Sequence, residues 1–550
     1  MHKATKTPRP EFDIIVVGAG ASGATLAAAL VRGGLRVALI EAGPHRTRAV
    51  NRIPALAFMA SINPQTNWNF ETAPIPDLNN RRQRWSQGRM IGGSSAINGM
   101  LWMRGTRHDY DQWQDNGCPG WGWEAALEVY RAIEGSDRGT ACHGRNGALK
   151  IRRSALDLPL AAPFLRAMAQ AGLPLADDIN ADIEEGFGTF DVNISQGQRC
   201  GVREAWLQPL QNNSYLQIFH DTTVTRLLTT DGRVIGVALK RGDSEFSLAA
   251  RNEVVLCCGA ILTPALLMRS GFGPAAHLQH AGIAVQRDCP RIGENLHNHP
   301  AVGLRYHLSP PWSAARWLRP GPALAAGLRY GLTRSGPLAQ SYVAMGGLFR
   351  SQPGDAPSDM MAVVMPALIK RAEVGAKLSG IFEWRHGFAV NVSLARQKSR
   401  GRIRLDPQNP FGDPVIAPGY FSAPEDLSAL TAGVLRLRQA IATSQDLGPL
   451  VTETGPLAAA CDAAALPEAI RAACGTFYHP AGTCRMGGED APVRPDLRLR
   501  GVAGLRIADP SVVPLPMGAT MHAPSILIGY RAAQMILSDL RAPGASTGNL

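Results

Sequence analysis

The chain has 550 residues, 45% of them hydrophobic and 18% charged, and carries a formal net charge of +12. That apolar content supports sizeable buried cores and excludes a disordered chain, and at roughly 100–200 residues per domain the length allows three or four units. A mean hydropathy of −0.07 with no uninterrupted run of about 18 apolar residues excludes a multi-span membrane protein, and arginines scattered without a stripe or a recognised module argue against a nucleic-acid partner.

The basic start MHKATKTPRPEFD leads into only four apolar residues, IIVV. That is too short for the core of a secretion signal, so a cytoplasmic location is expected. Residues 12–17, FDIIVV, read as a buried parallel strand. They run into Gly18, Gly20 and Gly23 of GAGASG, where Ala21 and Ser22 open an Ala/Leu-rich helix that stops at Gly33 and Gly34. RVALIE follows as a second strand, ending at Glu41 and Ala42. Each part has a physical use. Gly18 permits the tight turn, Gly20 admits a pyrophosphate to the backbone, and Gly23 lets the helix pack close to the strand. The helix N-terminus offers N–H groups to phosphate. Glu41 stands where an acid bonds ribose hydroxyls and repels a 2′-phosphate. This cradle does not separate FAD from NAD.

Residues 88–105, GRMIGGSSAINGMLWMRG, contain a small-residue loop, Gly92, Gly93, Ser94 and Ser95, ahead of Asn98 and Gly99. Small side chains let backbone N–H groups approach an electron-rich ligand. Residues 253–260, EVVLCCGA, read as a buried strand whose Cys257 and Cys258 belong to the core. The nine cysteines include no CxxC pair, so neither a disulfide framework nor a metal site is expected. His297 and His299 have metal-like spacing but read as structural, as do His277 and His280. The runs VAMGGLFRS, MMAVVMPAL, HGFAVNVSLA and GRIRLDP predict an antiparallel sheet backed by the helix PEDLSALTAGVLRLRQAIAT. His479 sits in a turn restricted by Pro480 and sharpened by Gly482. His522 precedes a helical segment, APSILIGYRAAQMILSDL, with Pro524 near its first turn, so it stands above a helix N-terminus that would keep an imidazole neutral. The tail RAPGASTGNL is expected to be disordered.

Five of these segments together resemble the glucose–methanol–choline (GMC) oxidoreductases, in particular their choline-dehydrogenase-like branch. They are 88–105, GAILTPALLMRSGFG at 259–273, IGENLHNHP at 292–300, YHPAGTCRMG at 478–487, and LRIADPSVVP followed by MHAPSILIGYRAA. They fall in family order over residues 11–540, although Phe272 stands where an aliphatic residue is usual. The resemblance implies an α/β fold: a Rossmann-like FAD-binding domain over 11–300, an inserted substrate domain of antiparallel sheet and helices over 301–475, and a C-terminal return over 476–540. It implies cofactor contacts at Gly18, Gly20, Ala21, Ser22, Gly23, Glu41, Ala42, Arg89, Gly92, Gly93, Ser94, Asn98, Gly99, Val224, Asp509 and Pro510. Ile97 occupies the position where some relatives attach FAD through histidine, so the FAD is expected to be non-covalent.

Alcohol oxidation needs a group that takes the hydroxyl proton as hydride leaves. The resemblance maps His479 onto the family's base and His522 onto its partner. Choline-active relatives carry a glutamate where Ala344 stands here, so an uncharged primary alcohol is expected as substrate. A dehydrogenase passing electrons to a quinone or another carrier is favoured over an oxidase using O2. The basic surface leaves peripheral membrane contact open. The alternatives are a hydroxynitrile-lyase-like enzyme, a fatty-acid photodecarboxylase on the same fold, and an NAD-binding module without flavin.

Overall fold

β1 (Phe12–Val17) is almost wholly buried, as its β-branched run requires. In the computed structural model, which describes residues 11–155, 158–343, 345–370, 381–460 and 462–541, it leads through the glycine turn into α1 (Ala21–Arg32). β2 (Val37–Ile40) returns parallel to β1, with Ile14 opposite Val37, and β3 (Leu216–Phe219) adds parallel to β2. β4 (Thr223–Thr230), β5 (Arg233–Arg241) and β6 (Ser244–Leu256) form an antiparallel meander. At 13 residues, β6 outlasts that meander, and its far end pairs parallel with β1. α2 (Gly259–Arg269) follows at once.

Two backbone approaches make this turn possible. Gly18 has φ +102°, and a Cβ there would lie 2.3 Å from the Cys257 carbonyl oxygen. A Cβ on Gly23 would lie 1.9 Å from the Gly18 carbonyl oxygen, so α1 sits directly against the loop.

The second sheet contains β7 (Pro300–Leu308), β8 (Met345–Phe349), β9 (Met360–Met365), β10 (Gly387–Leu394) and β11 (Val451–Thr454), in the order β11-β7-β10-β9-β8 and antiparallel throughout. α3 (Pro320–Thr333) lies between β7 and β8 in the chain, and α4 (Pro424–Ala442) packs on β10. The short strand Gly186–Thr189 completes the sheet beyond β8, so this layer draws a strand from the range 11–300. One expected strand is elsewhere: Arg402–Arg404 pairs with Val415–Ala417 as a separate hairpin. Its backbone is taken by Val415–Ala417 and by Gly293, whose carbonyl accepts from Ile403. Ala344 and residues 542–550 of the tail lie outside the described residues.

The chain then returns to the first sheet. β12 (Leu505–Ile507) pairs parallel with the end of β6. α5 (His522–Arg541) packs along α1, where Ser22 Oγ donates to the Ser525 carbonyl at 2.7 Å. No helix among the described residues is long and apolar enough to cross a membrane.

A buried charge network props the wall beneath α5. Arg104 and Glu134 form a fully buried pair, and Trp102 Nε1 donates to Glu134 at 2.7 Å. His143 lies between Glu134 (3.0 Å) and Asp178 (2.8 Å). Cys142 joins His143 and Asp178 in a cluster of ligand-type atoms, but both nitrogens of this imidazole are already taken by carboxylates. Burial pushes His143 down, yet its bonds to Asp178 and Glu134 outweigh that and raise it to about 9. A raised folded pKa gives stability that is complete below the unfolded value of 6.5 and is lost as pH rises through about 9. Chemical denaturation will therefore show the wild type's advantage over His143→Gln greatest below pH 6.5 and shrinking steadily toward about 9; a pH-independent gap would contradict the charged assignment.

Candidate functional site

One cavity of about 780 Å³ is lined by residues from both sheets and both ends of the chain. Its floor is backbone against backbone. Gly93 has φ +52°, and a Cβ there would lie 2.7 Å from Gly20 Cα, so the two glycine segments touch with no room for a side chain. Of the expected contacts, Gly18, Gly20, Ala21, Ser22, Glu41, Ala42, Arg89, Gly93, Ser94, Asn98, Gly99, Val224, Asp509 and Pro510 line this cavity. Gly23 and Gly92 do not. Gly23 faces Gly18 and Cys257, and the Gly92 N–H donates to the Ala19 carbonyl at 2.8 Å, tying the two loops together.

The polar groups around the floor are held by their own neighbours. Glu41 accepts from the Ala19 N–H (3.1 Å) and the Gly43 N–H (2.9 Å). Burial raises its carboxyl to about 7 against those bonds. Asp509 accepts from Ser511 N–H, Gly259 N–H and the Thr263 hydroxyl, so it caps α2 at the point where β12 ends. Arg89 stacks over Trp68, 5.0 Å from the ring centre. Cys257 and Cys258 also line the cavity, but burial, the first cause, and the Asp509 charge push both thiols up and away from reactivity.

His479 and His522 line this same cavity. The backbone at Tyr478 takes a left-handed φ of +62°, an uncommon conformation for a bulky residue that turns the chain just before His479. Asn298 clamps this turn: its Oδ1 accepts from the His479 N–H at 2.8 Å, and its Nδ2 donates to the Thr476 hydroxyl at 2.8 Å. His297 and Ala481 exchange backbone bonds of 3.0 and 2.9 Å. His299, which sequence reasoning treats as structural, has Nδ1 3.2 Å from His479 Nδ1, with ring centres 5.2 Å apart. Burial holds His479 well below the ordinary imidazole range, and His299 adds to this.

His522 is the first residue of α5, not the one before it. Its Nε2 is buried with no partner. Its ring stands edge-on to Trp102 at 5.9 Å. Burial, then the Arg199 charge, lowers it to about 3; sequence reasoning looked to the helix N-terminus for that effect. Arg199 is itself buried and donates to Asn51 O (2.8 Å), Ser95 O (3.0 Å), Asn98 Oδ1 (2.5 Å) and Asn98 O (2.7 Å). It thus pins the loop after Gly93. Nothing in the spacing around Arg199 signals this, because its partners lie 101 to 148 residues away. The second sheet closes the cavity with Met361, Val363 and Met365, alternate residues of β9 on one face.

Asn298→Ala would leave the His479 N–H without its partner and the Thr476 hydroxyl with only its bond from the Tyr478 N–H, at a cost of about 1–3 kcal/mol in urea unfolding. An unchanged unfolding midpoint would mean that the clamp is slack.

Residues 12–301 and 397–529 each match a family model described as GMC oxidoreductase. An alcohol dehydrogenase [acceptor] of Pseudomonas putida is 33% identical over 558 aligned positions, covering 98% of both chains. An oxygen-dependent choline dehydrogenase of Sinorhizobium medicae is 33% identical over 536, covering 96% of both. Among solved structures, pyridoxine 4-oxidase from Mesorbium loti superposes with a TM-score of 0.83 at 29% identity, covering 95% of this chain and 99% of its own.

Proposed function

The chain belongs to the GMC oxidoreductases, and from that membership we propose that it oxidises an uncharged primary alcohol to the aldehyde, with FAD as a dissociable cofactor. The observation that carries this reading is the placement of His479 and His522 in one cavity with the glycine loop and Glu41. The residues fit a dinucleotide. The loop at 18–22 opens α1, Gly93 leaves the floor bare of side chains, and His522 Nε2 is a buried polar atom waiting for a partner. Glu41 is the group for the ribose hydroxyls, and Val224 and Pro510 flank the same space. Ile97, buried beside the loop, offers only carbon, which supports a non-covalent mode. FAD, when bound, supplies the acceptor for the hydride that leaves the alcohol carbon.

The chain's own residues then handle the proton. His299 Nδ1 lies 3.2 Å from His479 Nδ1, so between two neutral rings one of these nitrogens donates and the other accepts. With His479 Nδ1 as the donor, its lone pair is on Nε2. His479 Nε2 takes the hydroxyl proton, His522 orients the oxygen, and His299 is a positioning residue. Burial keeps both cavity imidazoles neutral, so a proton acceptor is ready without prior deprotonation.

The lining favours an uncharged substrate. The carboxylates that line the cavity among the described residues are Glu41, Asp413 and Asp509. Glu41 and Asp509 are engaged by N–H groups at the cofactor end, and Asp413 lies near Arg269. A trimethylammonium beside Met361, Val363 and Met365 would be buried without a counter-charge, at a cost of several kcal/mol. Electrons pass to a quinone or another carrier in this reading, as the word acceptor in the Pseudomonas relative's name suggests. Steady-state assays should give a higher kcat/KM for benzyl alcohol and medium-chain alkanols than for choline, and a clear preference for choline would overturn the reading. With the preferred alcohol, the acid limb of kcat/KM should lie below pH 6.5, because the base is depressed; a limb above that value would place the base elsewhere.

A further inference from the structure

α3 touches the body along one narrow edge. Of its 14 residues, Ala326 and Tyr330 are the buried ones, and the Tyr330 hydroxyl donates to the Gly197 carbonyl at 3.1 Å. Leu324, Leu328 and Leu332 are 66%, 60% and 85% exposed. At about 100° per residue, the three leucines form one stripe and the two anchors stand on the opposite side. The stripe therefore points straight out from the molecule. An outward helix face is ordinarily charged, yet Arg329 is the one charged residue in this helix.

Along the chain around the stripe the charge has a single sign. No Asp or Glu occurs between Glu294 and Asp355. Arg319 and Arg334 bracket the helix, and both are exposed, as is Arg329; none of the three has a carboxylate partner among the described residues. Trp384, 48% exposed, and exposed Arg385 extend the patch. The next residue, His386, bonds Ser313 at 3.0 Å and lies near Arg319, which places it at the start of the helix.

Projecting leucines ringed by arginines complement a surface that is anionic at its face and apolar beneath. We propose that α3 docks the protein flat onto an anionic lipid membrane, with Leu324, Leu328 and Leu332 entering the acyl boundary and Arg319, Arg329 and Arg334 meeting lipid phosphates. The chain runs from Arg334 to Tyr342 and Val343, which line the cavity. Phe382, two residues before Trp384, contacts the ring of Phe58, another lining residue, at 6.0 Å. The docked face thus adjoins the cavity, which suits exchange of lipid-soluble molecules. The docking itself holds whichever alcohol the enzyme takes.

Vesicle flotation of the full chain tests this directly, using phosphatidylcholine vesicles with and without phosphatidylglycerol. Wild type should float with the anionic vesicles and be released by high salt. The triple variant Leu324→Ser, Leu328→Ser, Leu332→Ser should bind at least about tenfold more weakly, and Arg319→Glu with Arg334→Glu should abolish the preference for phosphatidylglycerol. Both variants should keep wild-type turnover with a soluble dye acceptor, since none of these residues lines the cavity, and the leucine variant should keep wild-type melting, since its three side chains are exposed. Equal flotation of wild type and the leucine variant would overturn the proposal. So would a wild-type dimer that the leucine variant converts to monomer without any vesicle binding, which would assign the stripe to a second copy.

Discussion

The site depends on one strand having partners on both sides. The end of β6 pairs with β1 on one edge and β12 on the other. That places the glycine turn after Val17, the start of α2 after Cys258 and the capping carboxylate of Asp509 at a single sheet end, although they lie hundreds of residues apart in the chain. The open end of a parallel sheet beside helix N-termini is where an anionic ligand gains most. α5 then runs along α1, so its first residue, His522, is carried to the same cavity. Without the β6 pairing, the cradle and the C-terminal histidine would have no fixed relation.

The second anchor is the crossing of residues 295–299 with residues 476–481. Asn298, His299 and the His297–Ala481 bridge hold His479 from three directions. An imidazole held this way loses rotamer freedom before any substrate arrives, which reduces the ordering cost of reaction. Burial has a second effect. It keeps the rings of His479, His299 and His522 uncharged, the state in which one nitrogen can accept and the other donate.

The glycine turn, β1, α1 and β2 were legible because each is local, whereas the segments holding His479 and His522 stood out through their resemblance to the family. Spacing along a few residues dictates a turn, a cap or a strand. The second sheet was legible in part, since β8, β9 and β10 announce themselves as short apolar runs. GRIRLDP has the same look, but pairs with Val415–Ala417, because strand partners are chosen by tertiary contacts that a run does not encode. The same limit hid Gly186–Thr189, which joins the second sheet from far upstream. His299 and Arg199 were missed for a related reason. A histidine two residues from another suggests a ligand pair or nothing, while its real neighbour lies 180 positions away. A lone buried arginine gives no periodic signal at all. The Cys142, His143 and Asp178 cluster carries the converse lesson: ligand-type atoms gathered in space can be an ion-pair network.

The account stands on His479 as the group that removes the hydroxyl proton while the alcohol gives up its hydride. Anaerobic mixing of the purified enzyme with its preferred alcohol, followed through the flavin absorbance near ~450 nm, measures this most directly. Wild type should bleach, and His479→Ala, with its flavin content matched, should bleach slower by about 10²–10⁴-fold. A wild-type spectrum that stays yellow, or a variant that bleaches at the wild-type rate, would contradict it.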